Sequence, residues 1–274
     1  MVTKRLKGDF AIAYRPWRIS EIYGQEEIKK VIGNGLDTNT VAHSFLFYGI
    51  SGTGKTTIGR IIAMGLNCRE KGPTSEPCCK CDLCRLTQNL NSFSFREFNS
   101  AHFRGIDHVR EVVGNLNYAS FDGADKTIIV FDECHRLTKD AQNLLLKGVE
   151  DSHEYNHFVF CSTEPETIIK TLRNRCMPME FKKVSYEEMF KLLCDVCECE
   201  GVESDPGVLD GIIKEADGMP RNALFLLQKM VTAGELKKIP ELPEPIEKKI
   251  EKKMELVKSV FKGNSPEITI DINI

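Results

Sequence analysis

Net charge, long apolar runs and internal repetition are all scarce in this chain, and each scarcity removes a class of function. A formal net charge of -3 provides no overall positive field, so contact with nucleic acid would have to come from a local basic surface. No stretch reaches the roughly 18 consecutive apolar residues of a membrane span. Met1 to Phe10 is basic but lacks the apolar segment of a secretory signal. No membrane partner is expected, and the chain should reside in a reducing cytoplasm. In that compartment its 11 cysteines argue for metal ligation and buried thiols rather than a disulfide framework. The absence of a repeat argues against a solenoid. What is present is ordinary and globular: 41% hydrophobic and 28% charged residues over 274 positions can bury one large domain and a smaller one.

The leading segment, Met1 to about Ala42, carries Tyr14-Arg15-Pro16-Trp17, then Tyr23-Gly24-Gln25-Glu26 and a helix expected to end near Gly33 and Gly35. Apolar strands are expected at Ser44 to Tyr48, Phe93 to Phe98, Thr127 to Phe131 and His157 to Ser162, separated by helix-length stretches. That alternation predicts an α/β fold with a parallel sheet wrapped by helices. From Val184 the strand signals stop. Three helices follow, Tyr186 to Glu200, Pro206 to Ala216 and Pro220 to Thr232. The expected division is a core over 1–183, a small all-α domain over 184–235 and an extension over 236–274. The extension has a linker at Pro240, Pro243 and Pro245, a helix from Ile246 to about Lys262, and a short alternating tail, Ile268 to Ile274.

Gly49-Ile50-Ser51-Gly52-Thr53-Gly54-Lys55-Thr56-Thr57 follows the first strand and precedes the apolar helix Ile58 to Leu66, the context that a phosphate-binding loop requires. The glycines let backbone N–H groups cradle phosphates, Lys55 reaches the terminal ones, and the Thr56 hydroxyl suits magnesium. A glycine-rich turn with a chance lysine is the plainer alternative, and the flanking strand and helix weigh against it. Ile128 to His135 is a buried strand that delivers Asp132 and Glu133 at its C-terminal end, where open parallel sheets bind ligands. Asp132 is a candidate magnesium ligand, and Glu133 a candidate to orient or deprotonate an attacking water. The next strand ends in Ser162-Thr163-Glu164. Thr163 is either a γ-phosphate sensor or simply a small polar strand cap.

Cys78-x2-Cys81-x2-Cys84 with Cys68 upstream offers four thiolates, the set a closed structural zinc site needs, with Cys79 spare. The module, 68–84, is inserted between the two nucleotide motifs. A second group, Cys194, Cys197 and Cys199, lies among Leu192, Leu193 and Val196, and reads as buried thiols on a helix.

In this order the motifs resemble those of the bacterial clamp-loader AAA+ ATPases, the gamma/tau subunits of DNA polymerase III. The likeness runs from about Tyr14 to Thr232. It rests on Tyr14-Arg15-Pro16 with Gly24-Gln25, the phosphate loop, Gly65-Leu66-Asn67-Cys68 leading into the cysteine module, and Asp132-Glu133-Cys134-His135. Further matches are Leu144-Leu145-Leu146-Lys147 with Glu150, Arg173-Asn174-Arg175-Cys176, and Gly218-Met219-Pro220-Arg221-Asn222-Ala223-Leu224.

The resemblance implies an AAA+ P-loop NTPase fold with an inserted four-cysteine zinc module and a helical lid. It implies ATP, Mg2+ and Zn2+ as cofactors, and a ring or spiral of subunits that opens a sliding clamp and loads it on primed-template DNA. It makes Arg175 a finger acting on the neighbouring subunit's ATP, Arg221 a lid sensor for the chain's own phosphates, and Tyr14, Arg15 and Pro16 the adenine side. Arg104, His108 and Arg110, near a helix starting at Gly105, are candidates for DNA phosphate contacts, with a solvated helix face as the alternative.

Two departures stand out: Asn174 replaces the serine of the family's Ser-Arg-Cys motif, and Asp151-Ser152-His153 replaces a proline-containing turn. The family continues into a helical collar, so a chain of this length is expected to be either truncated or a compact, for example viral, version. A non-catalytic scaffold subunit and another AAA+ machine of recombination or repair are the competing readings. Intact Lys55, Thr56, Asp132 and Glu133 argue against the first, and the cysteine module against the second. No polymerase chemistry is expected, since the acidic constellation for it is missing.

Overall fold

A computed structural model describes residues 8–102, 105–116, 122–151 and 153–236. Five strands form one sheet: β1 (Ser44–Gly49), β2 (Phe95–Asn99), β3 (Thr127–Asp132), β4 (Asn156–Ser162) and β5 (Met177–Phe181). Their order is β2-β3-β4-β1-β5, and every pairing is parallel. Strands covered on both faces need apolar residues at consecutive positions, and this is why β1, β3 and β4 are legible as apolar runs, whereas the edge strand β2 carries Arg96 and Glu97 between its two phenylalanines.

Phe45, Phe47, Ile128, Val130 and Val159 pack on one face against α2 (Glu26–Asp37) and α3 (Lys55–Leu66). Leu46, Ile129, Phe131, Phe158 and Phe160 pack on the other, against α5 (Ile106–Gly114) and α6 (Lys139–Asp151). Each such phenylalanine, at most 2% exposed, contributes about 1.5–3 kcal/mol by burial.

Three sequence expectations need correction. β5 carries no strand signal in the sequence: it reads Met-Pro-Met-Glu-Phe, with a proline and two exposed positions before Glu180. It can be a strand because it lies at the sheet edge, pairing only with β1, so Pro178 costs no ladder bond on a second side. The helix expected to stop near Gly33 and Gly35 continues to Asp37. Its glycines sit against Ile19 and Val41, where close approach of chain segments offsets their poor helix propensity. β2 begins at Phe95 rather than Phe93, because Asp122 and the Ser92 hydroxyl take the N–H groups of residues 93 to 95 and hold them in a turn.

The short helix α7 (Lys170–Arg173) leads into β5, and beyond the sheet α8 (Tyr186–Glu200), α9 (Pro206–Ala216) and α10 (Pro220–Ala233) occupy the three expected helical stretches. Ser185 and Asp205 cap the first two through side-chain oxygens. Their apolar faces share one cluster with Phe10, Ala13 and Tyr14, in and just after the short helix α1 (Phe10–Ala13). The leading segment thus straps the helical layer to the sheet layer. Tyr23 Oη donates to Asp195 Oδ2 at 2.6 Å, and Tyr14 Oη donates to Glu200, both carboxylates on α8. Among the described residues no helix is long and apolar enough to cross a membrane. The linker prolines, the helix expected from Ile246 and the tail from Ile268 lie outside the described residues.

Candidate functional site

At the C-terminal edge of the sheet, Gly49 ends β1 with a φ of 133°. A Cβ there would lie 2.2 Å from the Phe181 carbonyl oxygen, so the loop can leave the sheet beside β5 only because the residue is glycine. Gly54, with a φ of 105°, caps α3. The first turn of that helix therefore lines a pocket together with Ser51, Gly52, Asp132 and Glu133. Free N–H groups at such a helix start favour anions. Lys55, 6% exposed, donates through Nζ to the carbonyls of Gly49 and Ile50, each at 2.8 Å. Burial pulls its ammonium below the usual lysine range, against the Glu133 and Asp132 carboxylates, which favour the charge. Thr53 Oγ1 ties the loop to itself by donating to the Ile50 carbonyl at 2.9 Å.

The strand order explains how distant segments meet here. β4 lies between β1 and β3, so the end of β4 stands between the phosphate loop and the acidic pair. Thr163 Oγ1 lies 3.5 Å from Glu133 Oε2, and the Glu133 N–H donates to Asp132 Oδ1 at 3.1 Å. Glu133 adopts a left-handed backbone, φ 51° and ψ 41°, which aims its side chain differently from that of the strand residue before it. Oxygen donors from Thr56 and Asp132 line the same pocket, and a hard hydroxyl and carboxylate pair beside bound phosphates is the donor set magnesium takes.

A second pocket adjoins the first on the lid side. Tyr14, Arg15, Pro16 and Tyr23 line it with Leu192, Pro220 and Leu224 of the helical layer. Arg15, Gly52, Gly54, Thr57 and Arg221 line both, which makes the two pockets one continuous cleft. Arg221 reaches it because α10 starts against the loop, its N–H lying 3.5 Å from the Gly52 carbonyl. Arg15, which the family resemblance puts on the adenine side, also borders the phosphate side. Burial, then the neighbouring Arg60, pulls its pKa down to about 10. Arg60 is held by Glu97 at 2.8 Å. Leu192, Leu224 and Tyr23 carry no sequence signal that distinguishes a pocket wall from ordinary core.

Other expected residues lie elsewhere. Arg175 precedes β5 at the opposite end of the sheet and pairs with Glu150 at 2.9 Å. His108 and Arg110 are exposed on α5, and Arg110 pairs with Asp107 at 2.7 Å. Arg104 lies outside the described residues.

The four cysteines converge. The Sγ atoms of Cys68, Cys78, Cys81 and Cys84 all lie within 4.8 Å of one another, with Cys78 and Cys84 at 4.0 Å. Zinc bonds of about 2.3 Å in a tetrahedron would put sulfurs about 3.8 Å apart, so the set fits with small adjustment. Cys84 is placed by the short helix α4 (Asp82–Gln88), which the spacing alone did not predict. N–H groups of Lys80 and Cys81 point at the Cys78 sulfur at 3.4 and 3.2 Å, and that of Cys78 at the Cys68 sulfur at 3.3 Å. Burial alone would raise the Cys78 thiol, but those donors, with Cys81 and Cys68 beside it, bring it down to about 7. Trp17 and Met64 cover the cluster. Cys194, Cys197 and Cys199 form no comparable group among the described residues, and burial pushes all three thiols up.

Comparison with known proteins agrees with this geometry. RuvB from Thermotoga maritima, a Holliday junction branch migration motor, superposes with a TM-score of 0.60 at 21% identity, over 84% of this chain and 69% of that one. That likeness shows the fold, an AAA+ P-loop fold. DNA polymerase III subunit gamma/tau of Mycobacterium tuberculosis is 36% identical over 223 residues, 81% of this chain and 38% of that protein. DNA polymerase III subunit tau of Bacillus subtilis is 32% identical over 229 residues, 83% of this chain and 40% of that protein. The chain thus spans about two fifths of the length of these relatives. The family model described as DNA polymerase III, delta subunit, matches residues 24–185, and with these identities it shows that the chain belongs to this family of DNA polymerase III subunits, gamma/tau among them.

Proposed function

We propose that the chain is an ATP-hydrolysing clamp-loader subunit, which acts with partner subunits to open a sliding clamp and place it on primed-template DNA. The observation that carries this reading is the continuous cleft in which the phosphate loop, the Asp132-Glu133 pair and the lid residue Arg221 face one another. ATP would lie along it with its base between Tyr14, Pro16 and the lid, and its phosphates on the loop from Gly49 to Thr57. Lys55 and Arg221 would meet the phosphate charge, with Arg15 bordering both parts. Thr56 and Asp132 would hold magnesium, which neutralises phosphate charge when bound. Glu133 would take the proton of the attacking water, and Thr163, at the end of β4, would sense the terminal phosphate. Arg175 would act on the nucleotide of the adjacent subunit. Contacts with DNA would use phosphates, through α5 residues such as His108 and Arg110.

ATP turnover should therefore rise several-fold when a sliding clamp and primed-template DNA are added together with the partner subunits. Equal turnover with and without both would overturn the clamp-loading reading while leaving an ATPase.

The cysteine cluster would hold a structural zinc, closed by four thiolates and remote from the phosphate chemistry. Protein purified without chelator should contain about one equivalent of zinc, and less than about half an equivalent counts against the assignment. Stripping it should lower Tm measurably, because Trp17 and Met64 lose the surface they cover.

A further inference from the structure

Behind the acidic pair lies a histidine with no role in the chemistry proposed for the cleft. His135 belongs to the 3-10 turn Cys134–Arg136 that follows β3, and its side chain is 3% exposed. One contact decides its tautomer. Arg136 Nε donates to His135 Nε2 at 3.0 Å. A guanidinium can only donate, so Nε2 must be the accepting nitrogen and the ring proton sits on Nδ1. Glu164 Oε1, 3.8 Å from Nε2, is too distant to reverse that assignment.

Nδ1 faces two oxygens, Ser162 Oγ at 3.4 Å and Glu133 Oε2 at 3.3 Å. Ser162 is the last residue of β4 and its Oγ also accepts the Glu164 N–H at 3.0 Å. Thr163, the next residue, approaches the same Glu133 oxygen at 3.5 Å. Nδ1–H and the Thr163 hydroxyl, donors from different elements, therefore both lie near Oε2, at 3.3 and 3.5 Å, which leaves Oε1 as the oxygen to receive a proton. The left-handed backbone of Glu133 does not by itself fix the carboxylate, so its orientation depends on these donors.

We propose that His135, held as the Nδ1–H tautomer by Arg136, is a positioning residue that orients the Glu133 carboxylate and ties it to the end of β4. Movement of β4 at Ser162 and Thr163 is then transmitted to Glu133 through the polar contacts these residues share with His135 and Glu133. The proposal rests on the reading of Glu133 as the group that activates water.

Asparagine and glutamine substitutions separate this role from mere filling of space. An asparagine amide places an N–H near the position of Nδ1, whereas a glutamine amide reaches toward Nε2. In single-turnover ATP hydrolysis by the full chain in its complex, His135→Ala and His135→Gln should lose about ten- to a hundredfold in rate. ATP affinity should stay within about twofold of wild type, and His135→Asn should recover most of the rate. Equal losses in all three variants, or losses that follow Tm, would show a structural residue and overturn the proposal.

Glu133→Gln separates the two levels of inference. An active Glu133→Gln defeats the reading of Glu133 itself, whereas an inactive one beside a fully active His135→Ala defeats only the positioning role. A measurement independent of turnover is the long-range 15N–1H spectrum of the histidine rings, in which His135 should appear as the Nδ1–H tautomer. A proton on Nε2 would overturn the assignment whatever the kinetics.

Discussion

Lys55→Ala should reduce ATP turnover by about 10²–10³-fold, the loss expected when one preorganised donor is removed from a site of developing charge. It should also weaken ATP binding by about 1.5–3 kcal/mol, roughly 10- to 150-fold in Kd, as for loss of a hydrogen bond to a charged group. The cause is visible in the arrangement of the loop. Nζ is held on the Gly49 and Ile50 carbonyls at 2.8 Å, within the loop that would hold the phosphates. A bound phosphate would exchange one neutral acceptor for a charged one, and the partly desolvated ammonium gains most from that exchange. Lys55→Arg should not restore the rate, since a planar fork does not fit a side chain buried to 6% exposure between two carbonyls. Titration with a fluorescent ATP analogue measures the binding loss, and phosphate release measures the turnover. Unchanged affinity together with unchanged turnover would remove the phosphate loop from the mechanism.

Most of this site is local in the chain, which is why the sequence alone makes it legible. The loop from Gly49 to Thr57 is one strand-to-helix turn, and Asp132-Glu133 is one strand end. The four cysteines span a short insertion whose spacing is that of a four-thiolate metal site. The parts that stay hidden in the sequence are those that depend on packing between distant segments. Leu192 and Leu224 look like any other apolar helix positions, and only the docking of α8 and α10 makes them a pocket wall. Arg15 belongs to a quoted motif, yet its position bordering both base and phosphate sides follows from how the leading segment crosses the cleft. β5 is hard to see because an edge strand has weaker demands on composition: Met177, Pro178 and Glu180 face solvent, and only Met179 and Phe181 are buried. The role of His135 is equally hidden. Arg136 is its neighbour in the chain, but Ser162 comes from the end of β4, and no spacing rule joins that residue to His135.

Arg175→Ala should leave ATP binding by the isolated chain unchanged and yet lower turnover in the assembled complex by about 10³–10⁵-fold, the effect of an arginine finger in P-loop enzymes. The register of the sheet is the reason both effects should appear together. Phe45 pairs with Met177 and Gly49 with Phe181, so β1 and β5 run side by side toward the phosphate loop. Arg175 lies six residues before Phe181, which at about 3.3 Å per residue puts it roughly 20 Å from the loop, beyond the reach of one side chain. It cannot serve its own nucleotide. Its ion pair with Glu150 is exposed, the arginine side chain at 60%, and such pairs contribute about 1 kcal/mol or less. A phosphate presented by a neighbouring subunit can therefore draw the guanidinium away at little cost. Mixing supplies the decisive measurement. Lys55→Ala and Arg175→Ala chains should each be inactive alone, but a mixture should regain turnover where an intact cleft on one chain meets an intact arginine on the other. If the mixture stays as inactive as its components while both chains still assemble, Arg175 does not act between subunits. If Arg175→Ala instead abolishes ATP binding by the isolated chain, the residue supports its own fold rather than a neighbour's chemistry.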